Sequence, residues 1–290
     1  MSFNRAVGDK NSTISELSDA EFARFRDFFY RKTGIYFEES KRYFVDKRVI
    51  QRIEATASDS FRDYFTLLRF QASGEELQQL INLLTVNETY FFREEYQFQC
   101  MVRSVLPEIV RHKPLGERMR IWSIPSSTGE EPYSVALYLL EHWADINRID
   151  VELTGSDIDS RVLERAQKGI FNARSVNHLP RHILNRYFTP LVGDNYQIST
   201  DLRESVEFKL LNLTDGTATR YYRNYDVIFC RNLLIYFDDT SRRQAAESLF
   251  DALRPGGFLF LGHSESMSRI SSLFTVRKFP EAIAYQKPLS

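Results

Sequence analysis

An apolar strand that breaks into a loop of small residues and returns as an amphipathic helix is compatible with few folds. Residues 120–143, RIWSIPSSTGEEPYSVALYLLEHW, have that form. Arg120-Ile121-Trp122 reads as a strand end and Ser126-Ser127-Thr128-Gly129 as the loop. Pro132 falls in the first turn of the helix, where a missing N–H is tolerated. Val135, Ala136, Leu139, Leu140 and Trp143 then recur at helical spacing, so one face packs on a sheet. Strand, tight turn and helix N-terminus together make the ligand crevice of an open, doubly wound α/β sheet.

The chemistry of the loop narrows the ligand. A phosphate-binding turn needs several glycines and a positive helix end, whereas Glu130 and Glu131 directly follow the single glycine here. Two carboxylates at that place repel anions and suit a ligand that is cationic near the loop. S-adenosylmethionine, with an ammonium and a sulfonium, fits that requirement. The same two glutamates also suit a helix N-terminus through its dipole, and sequence alone leaves both readings open.

Length and composition agree with one large domain and a smaller one in 290 residues. With 38 basic and 39 acidic residues the chain is no general nucleic-acid binder. Cys100 and Cys230 are the only cysteines, which excludes a disulfide framework or a CxxC metal site, and the scattered histidines give no metal spacing. No apolar run reaches the roughly 18 residues that span a bilayer, and the polar start is no signal peptide. A cytoplasmic protein without membrane insertion is expected.

In chain order, residues 1–84 read as an all-helical module. Ser18-Asp19 caps a helix with a stripe of Phe22, Phe25, Phe28 and Phe29, ended near Gly34. A second helix over about 40–54 brings Lys41, Arg48 and Arg52 into one narrow arc. That arc is either a solvated face or a docking surface for an acidic partner. Residues 85–95, TVNETYFFREE, are too aromatic for a linker; they make a rigid strap or a lid whose Asn87, Thr89 and Arg93 face a ligand. From 96 to 290 the βα rhythm runs, interrupted near 186–208 by a small antiparallel insertion. Asp157 ends the second strand, where an acid accepts from ribose hydroxyls. Residues 231–237, RNLLIYF, are the loop at the carboxyl end of the buried strand YDVIFC, where catalytic groups collect in such sheets.

Several motifs in order, NETYFFR at 87–93, STGEEPYS at 127–134, SDID at 156–159, FCRNLLIYF at 229–237, PGG at 255–257 and GHSES at 262–266, resemble the CheR family of chemotaxis receptor glutamate O-methyltransferases. The resemblance covers nearly the whole chain. It implies a class I methyltransferase sheet with a helical N-terminal domain and a β-subdomain, and S-adenosylmethionine as cofactor without a metal. It places cofactor contacts on Asn87, Thr89, Arg93, Glu131, Asp157, Asn212, Leu213, Arg231 and Asn232. Glu131 would take the methionine ammonium and Asp157 the ribose, with Arg93 and Tyr236 nearest the transferred methyl. The implied partner is a chemoreceptor signalling domain, met by Lys41, Arg48 and Arg52, with the receptor's C-terminal tail a candidate contact of the β-subdomain. One departure stands out: Ile124-Pro125 replaces the small residues expected before STGEEPYS, which fixes φ and removes one N–H from the loop.

A glutamate carboxylate is already ionised at neutral pH, so such a transfer needs alignment rather than a general base. Two rivals are a nucleic-acid methyltransferase and a non-catalytic S-adenosylmethionine sensor. RNLLIYF does not fit the Pro-Pro-aromatic motif of the first, and Arg93 with Tyr236 argues against the second.

Overall fold

The computed structural model describes residues 16–114 and 116–289, so most of the polar start that carries no signal-peptide pattern lies outside the described residues. Among the described residues two compact units form, one from those up to Arg31 with Phe37–Leu84, the other from Lys32–Tyr36 with those from Thr85 onward.

In the first unit, α1 (Asp19–Thr33), α2 (Arg42–Ala55), α3 (Phe61–Phe70) and α4 (Glu75–Leu84) follow one another. A reciprocal cap starts α1: Ser18 N donates to Glu21 Oε2 at 2.9 Å, and Glu21 N donates to Ser18 Oγ at 3.3 Å. The phenylalanine stripe of α1 is buried, with Phe25 and Phe29 stacked at 5.7 Å and Phe28 edge-on to Phe65 at 5.4 Å. Each such ring contributes roughly 1.5–3 kcal/mol by leaving water.

The basic arc of α2 is not three free cations. Arg52 donates from Nε and Nη2 to Glu76 at 2.9 and 2.6 Å, and Tyr64 OH donates to the same carboxylate at 2.9 Å. Glu76 is buried, and a buried carboxylate requires such a partner. Arg48 lies 3.6 Å over the Phe44 ring and donates to Leu83 O at 3.0 Å. Lys41 is exposed.

The second unit carries α5 (Glu95–Cys100), continued through a π-helical turn at Met101–Val105 into α6 (Leu106–His112). β1 (Met119–Ser123), α7 (Glu130–His142), β2 (Val151–Asp157) and α8 (Ser160–Lys168) follow. Then come β3 (Ile170–Asn172), β4 (Phe188–Leu191), β5 (Asn195–Ile198), β6 (Val206–Leu210) and β7 (Tyr225–Cys230). The chain closes with α9 (Asp239–Ala252), β8 (Leu253–Leu261), β9 (Thr275–Lys278) and β10 (Ile283–Gln286). The main sheet has the order β6-β2-β1-β7-β8-β10-β9, parallel from β6 to β8 and antiparallel through β10 and β9. That is the class I methyltransferase sheet. Its strands are apolar on both sides: Val227 and Phe229 enter one core, Ile228 and Cys230 the other. Leu140, by contrast, is exposed on α7.

The β-subdomain differs from its expected limits. Its sheet has the order β3-β5-β4, so Ile170–Asn172 belongs to it, while Val206–Leu210 pairs with β2 at the edge of the main sheet. Residues 32–36 also depart from the helical module. Gly34, at φ +74°, leaves so little room that a Cβ would lie 2.5 Å from Thr214 Cγ2, and Ile35 bridges Phe237. Among the described residues no helix is long and apolar enough to cross a bilayer.

Candidate active site

The site is built at the carboxyl ends of β1, β2 and β7. After β1 the chain passes a cis Ile124-Pro125 bond, and Ser126 N donates to Ser156 O at 2.8 Å. With no N–H at Pro125, the loop is pinned by its neighbours. Ser127, at φ +48°, donates its N–H to Asp157 Oδ2 at 2.8 Å, and Asp159 N donates to Asp157 Oδ1 at 2.9 Å. Burial pushes the Asp157 carboxyl up to about 6, against the pull of these two N–H donors toward the anion.

The two glutamates that open α7 face different ways. Glu130 turns into the protein and accepts from Thr128 Oγ1 at 2.6 Å and Ser175 Oγ at 2.7 Å. Glu131 faces the cavity, accepting from Ser123 Oγ at 2.7 Å and from Arg231 Nη1 at 3.0 Å. Burial raises the Glu131 carboxyl above the ordinary range, opposed by the Arg231 charge. The pair thus divides: Glu130 is bonded into the protein, and Glu131 lines the cavity.

Residues 85–95 form the opposite wall. Thr85 Oγ1 and Asn87 Nδ2 both donate to Asp159 Oδ2, at 2.7 and 3.0 Å. Phe91 N donates to Ser175 O and Phe92 N to Ser134 Oγ, each at 3.0 Å. Phe91 packs edge-on to Phe171 at 4.8 Å and to Phe188 at 5.3 Å. Phe91 and Phe92 are thus anchorage, while Asn87, Thr89, Tyr90 and Arg93 of the same stretch line the cavity. Phe92 and Glu94 have left-handed backbones, as does Asn232. Such conformations cost roughly 1–3 kcal/mol each and gather at functional sites.

The cavity, about 250 Å³, is lined by Asn87, Glu88, Thr89, Arg93, Ser127, Glu131, Arg231, Asn232 and Tyr236, with Val86, Tyr90 and Ile235 among its apolar lining. Arg231 is buried between two carboxylates, with Nη2 3.5 Å from Glu94 Oε2. It also donates from Nη2 to the backbone carbonyl of Arg93. Its Nε and the hydroxyl of Ser127 have no hydrogen-bond partner among the described residues. A buried donor left open beside an acceptor such as Glu131 suits the zwitterionic end of an amino acid. The arrangement therefore fits the methionine end of S-adenosylmethionine; Asp157 is buried at the end of β2, behind Ser127, and is not among the residues that line the cavity.

Tyr236 stays a phenol, because burial and then the Glu88 charge raise it above its ordinary value. Arg93 donates from Nη1 to Glu88 O at 3.0 Å. Asn212 and Leu213 do not line this cavity. Asn212 Nδ2 donates to Lys32 O at 2.9 Å and its Oδ1 accepts from Thr214 N at 3.1 Å, while Leu213 is core. Glu94 is a contributor that its sequence position next to Arg93 does not disclose. Burial works against its ionisation, but the Arg231 charge and the hydrogen bonds with His263 and Tyr96 together outweigh it and lower the carboxyl below its ordinary value.

Two family profiles match the chain: "CheR methyltransferase, all-alpha domain" over residues 20–85 and "CheR methyltransferase, SAM binding domain" over residues 87–283. It is 59% identical over 272 residues to Chemotaxis protein methyltransferase 2 of Vibrio cholerae serotype O1, covering 94% of each. To the Chemotaxis protein methyltransferase of Escherichia coli K12 it is 36% identical over 271 residues, covering 90% of this chain and 89% of the relative. Matching profiles over both units, and relatives aligned almost end to end, show that the chain belongs to the CheR methyltransferase family, S-adenosylmethionine-dependent methyltransferases of chemotaxis.

Proposed function

We propose that this chain methylates glutamate side-chain carboxylates of chemoreceptors, forming methyl esters. The observation that carries the reading is that Arg93 and Tyr236 line one cavity with the Glu131–Arg231 pair. When bound, S-adenosylmethionine supplies an electrophilic methyl group on a sulfonium. Glu131 would hold the ammonium of the methionine end, Arg231 Nε and Ser127 its carboxylate, and Asp157 the ribose. The incoming carboxylate is an anion at neutral pH and needs no proton removed. Tyr236 OH is a neutral donor that aligns one carboxylate oxygen without quenching the other. Arg93, tied to Glu88 O, orients the same group by charge and is kept from a tight bidentate clamp.

The Arg93 contact to Arg231 runs through the backbone carbonyl, so Arg93→Ala spares it. Tyr236→Phe and Arg93→Ala should each lower kcat on receptor membranes by about 10–100-fold, while the Kd for S-adenosylhomocysteine moves less than about threefold. A variant that keeps kcat and instead weakens product binding would show a cofactor ligand and overturn this role.

The receptor is read as docking on the helical unit through Lys41 and Arg48. Arg52 is excluded from that set by its commitment to Glu76. The β-subdomain, with Val192 exposed at the β4–β5 turn, is the candidate contact for a receptor tail.

A further inference from the structure

The turn that follows β7 carries Arg231 at one end and Tyr236 at the other, and something must hold it. Glu265, outside the cavity lining, meets that turn with both carboxylate oxygens. Oε2 accepts from Asn232 N and from Gly262 N, each at 2.8 Å, and Oε1 accepts from Leu234 N at 2.8 Å. Asn232 sits there at φ +58°, a backbone that L residues rarely keep unaided. Gly262 lets the two loops close: a Cβ would lie 2.8 Å from Asn232 Nδ2 and 2.9 Å from Glu265 Oε2. On its other side the turn is held by Arg242, whose Nε donates to Leu234 O at 3.0 Å.

We propose that Glu265 is a positioning residue for methyl transfer. It draws three backbone N–H groups of two neighbouring loops onto one carboxylate, and so sets where Tyr236 stands relative to Arg231. It touches neither cofactor nor substrate and acts through Asn232 and Leu234. Gln at this place would aim an NH₂ group at one or two of those donors. Asp is a methylene too short to reach all three. The inference rests on the methyl-transfer reading, and its test separates the two.

The full chain as Glu265→Gln and Glu265→Asp would be measured for amide hydrogen exchange, for the Kd of S-adenosylhomocysteine and for kcat on receptor membranes. Exchange over residues 231–237 should quicken by about tenfold or more, with the rest of the chain unchanged. For Glu265→Gln, kcat should fall by about 10–100-fold with product Kd within about threefold, and Glu265→Asp should fall between it and wild type. Glu265→Gln combined with Tyr236→Phe should be no slower than the slower single variant, because both remove one alignment. Unchanged exchange over 231–237, faster exchange throughout the chain, kcat within about twofold of wild type, or multiplying losses in the double variant would each overturn the proposal. If the wild type transfers no methyl group at all, the function reading fails while the exchange measurement still decides the role of Glu265. Should Glu265→Gln fail to fold, Glu265→Asp carries the same three readouts.

Discussion

Asp157 is held by opposing forces, burial favouring its neutral form and the N–H groups of Ser127 and Asp159 favouring the anion, with the outcome about 6. A carboxyl raised above its unfolded value stabilises the fold below about pH 4 and loses that contribution as pH climbs through about 6. At neutral pH the free protein therefore carries an ill-solvated anion that ribose hydroxyls would satisfy, and ligand binding should expel a proton near pH 6. Calorimetry of S-adenosylhomocysteine in buffers of different ionisation enthalpy should show that release, and affinity should fall about 3–10-fold from about pH 7.5 to 5.5. Asp157→Ala should bind weakly and release no proton near pH 6. Equal affinity at both pH values in the wild type would take Asp157 out of the site. The placement of Asp157 at a strand end and of Glu130 and Glu131 at a helix start was legible in the sequence, because the strand and the helix each carry their own periodicity. Glu94 and Glu265 were not, because they act on backbone groups and charges brought close only by folding, with contacts such as Glu265 to Asn232 spanning 33 residues.

At the other end of β7, Asp226 is fully buried and accepts from Lys113 Nζ at 2.9 Å, Arg254 Nη1 at 3.0 Å and Arg120 N at 2.8 Å. Removing one partner of a buried charge cluster strands the rest, so Asp226→Ala should cost about 3–5 kcal/mol of stability. Because the cavity lies at the strand's far end, product affinity of the folded variant should stay within about twofold. A thermal melt unchanged from wild type would show the cluster to be ornamental. Most elements that frame the site could be read from periodicity, as with the strand at 225–230 and the helix after Gly129. The strand Ile170–Asn172 could not, since three residues carry no alternation and its partner, Asn195–Ile198, is non-local. The same holds for residues 32–36, which a single glycine ties to Thr214 rather than to the helices beside them in sequence.

For the molecule as a whole, the proposed function would need two surfaces: a cavity that aligns a carboxylate, and a face that finds the receptor. Lys41→Glu with Arg48→Glu should raise KM for receptor by about 3–10-fold at low salt and flatten its salt dependence, leaving product Kd unchanged. Arg52→Glu would instead set two carboxylates together at Glu76 and lower the melting temperature. Unaltered kinetics in the double variant at low salt would return these residues to an ordinary solvated face. The central claim, ester formation on glutamate, is tested most directly by incubating the protein with receptor-bearing membranes and radiolabelled S-adenosylmethionine. The labelled receptor is then treated with mild alkali and its peptides are mapped. The account predicts label on glutamate side chains, released by alkali as volatile methanol and absent from membranes lacking receptor. Label that survives alkali, or that sits on another residue type or on nucleic acid, would contradict it.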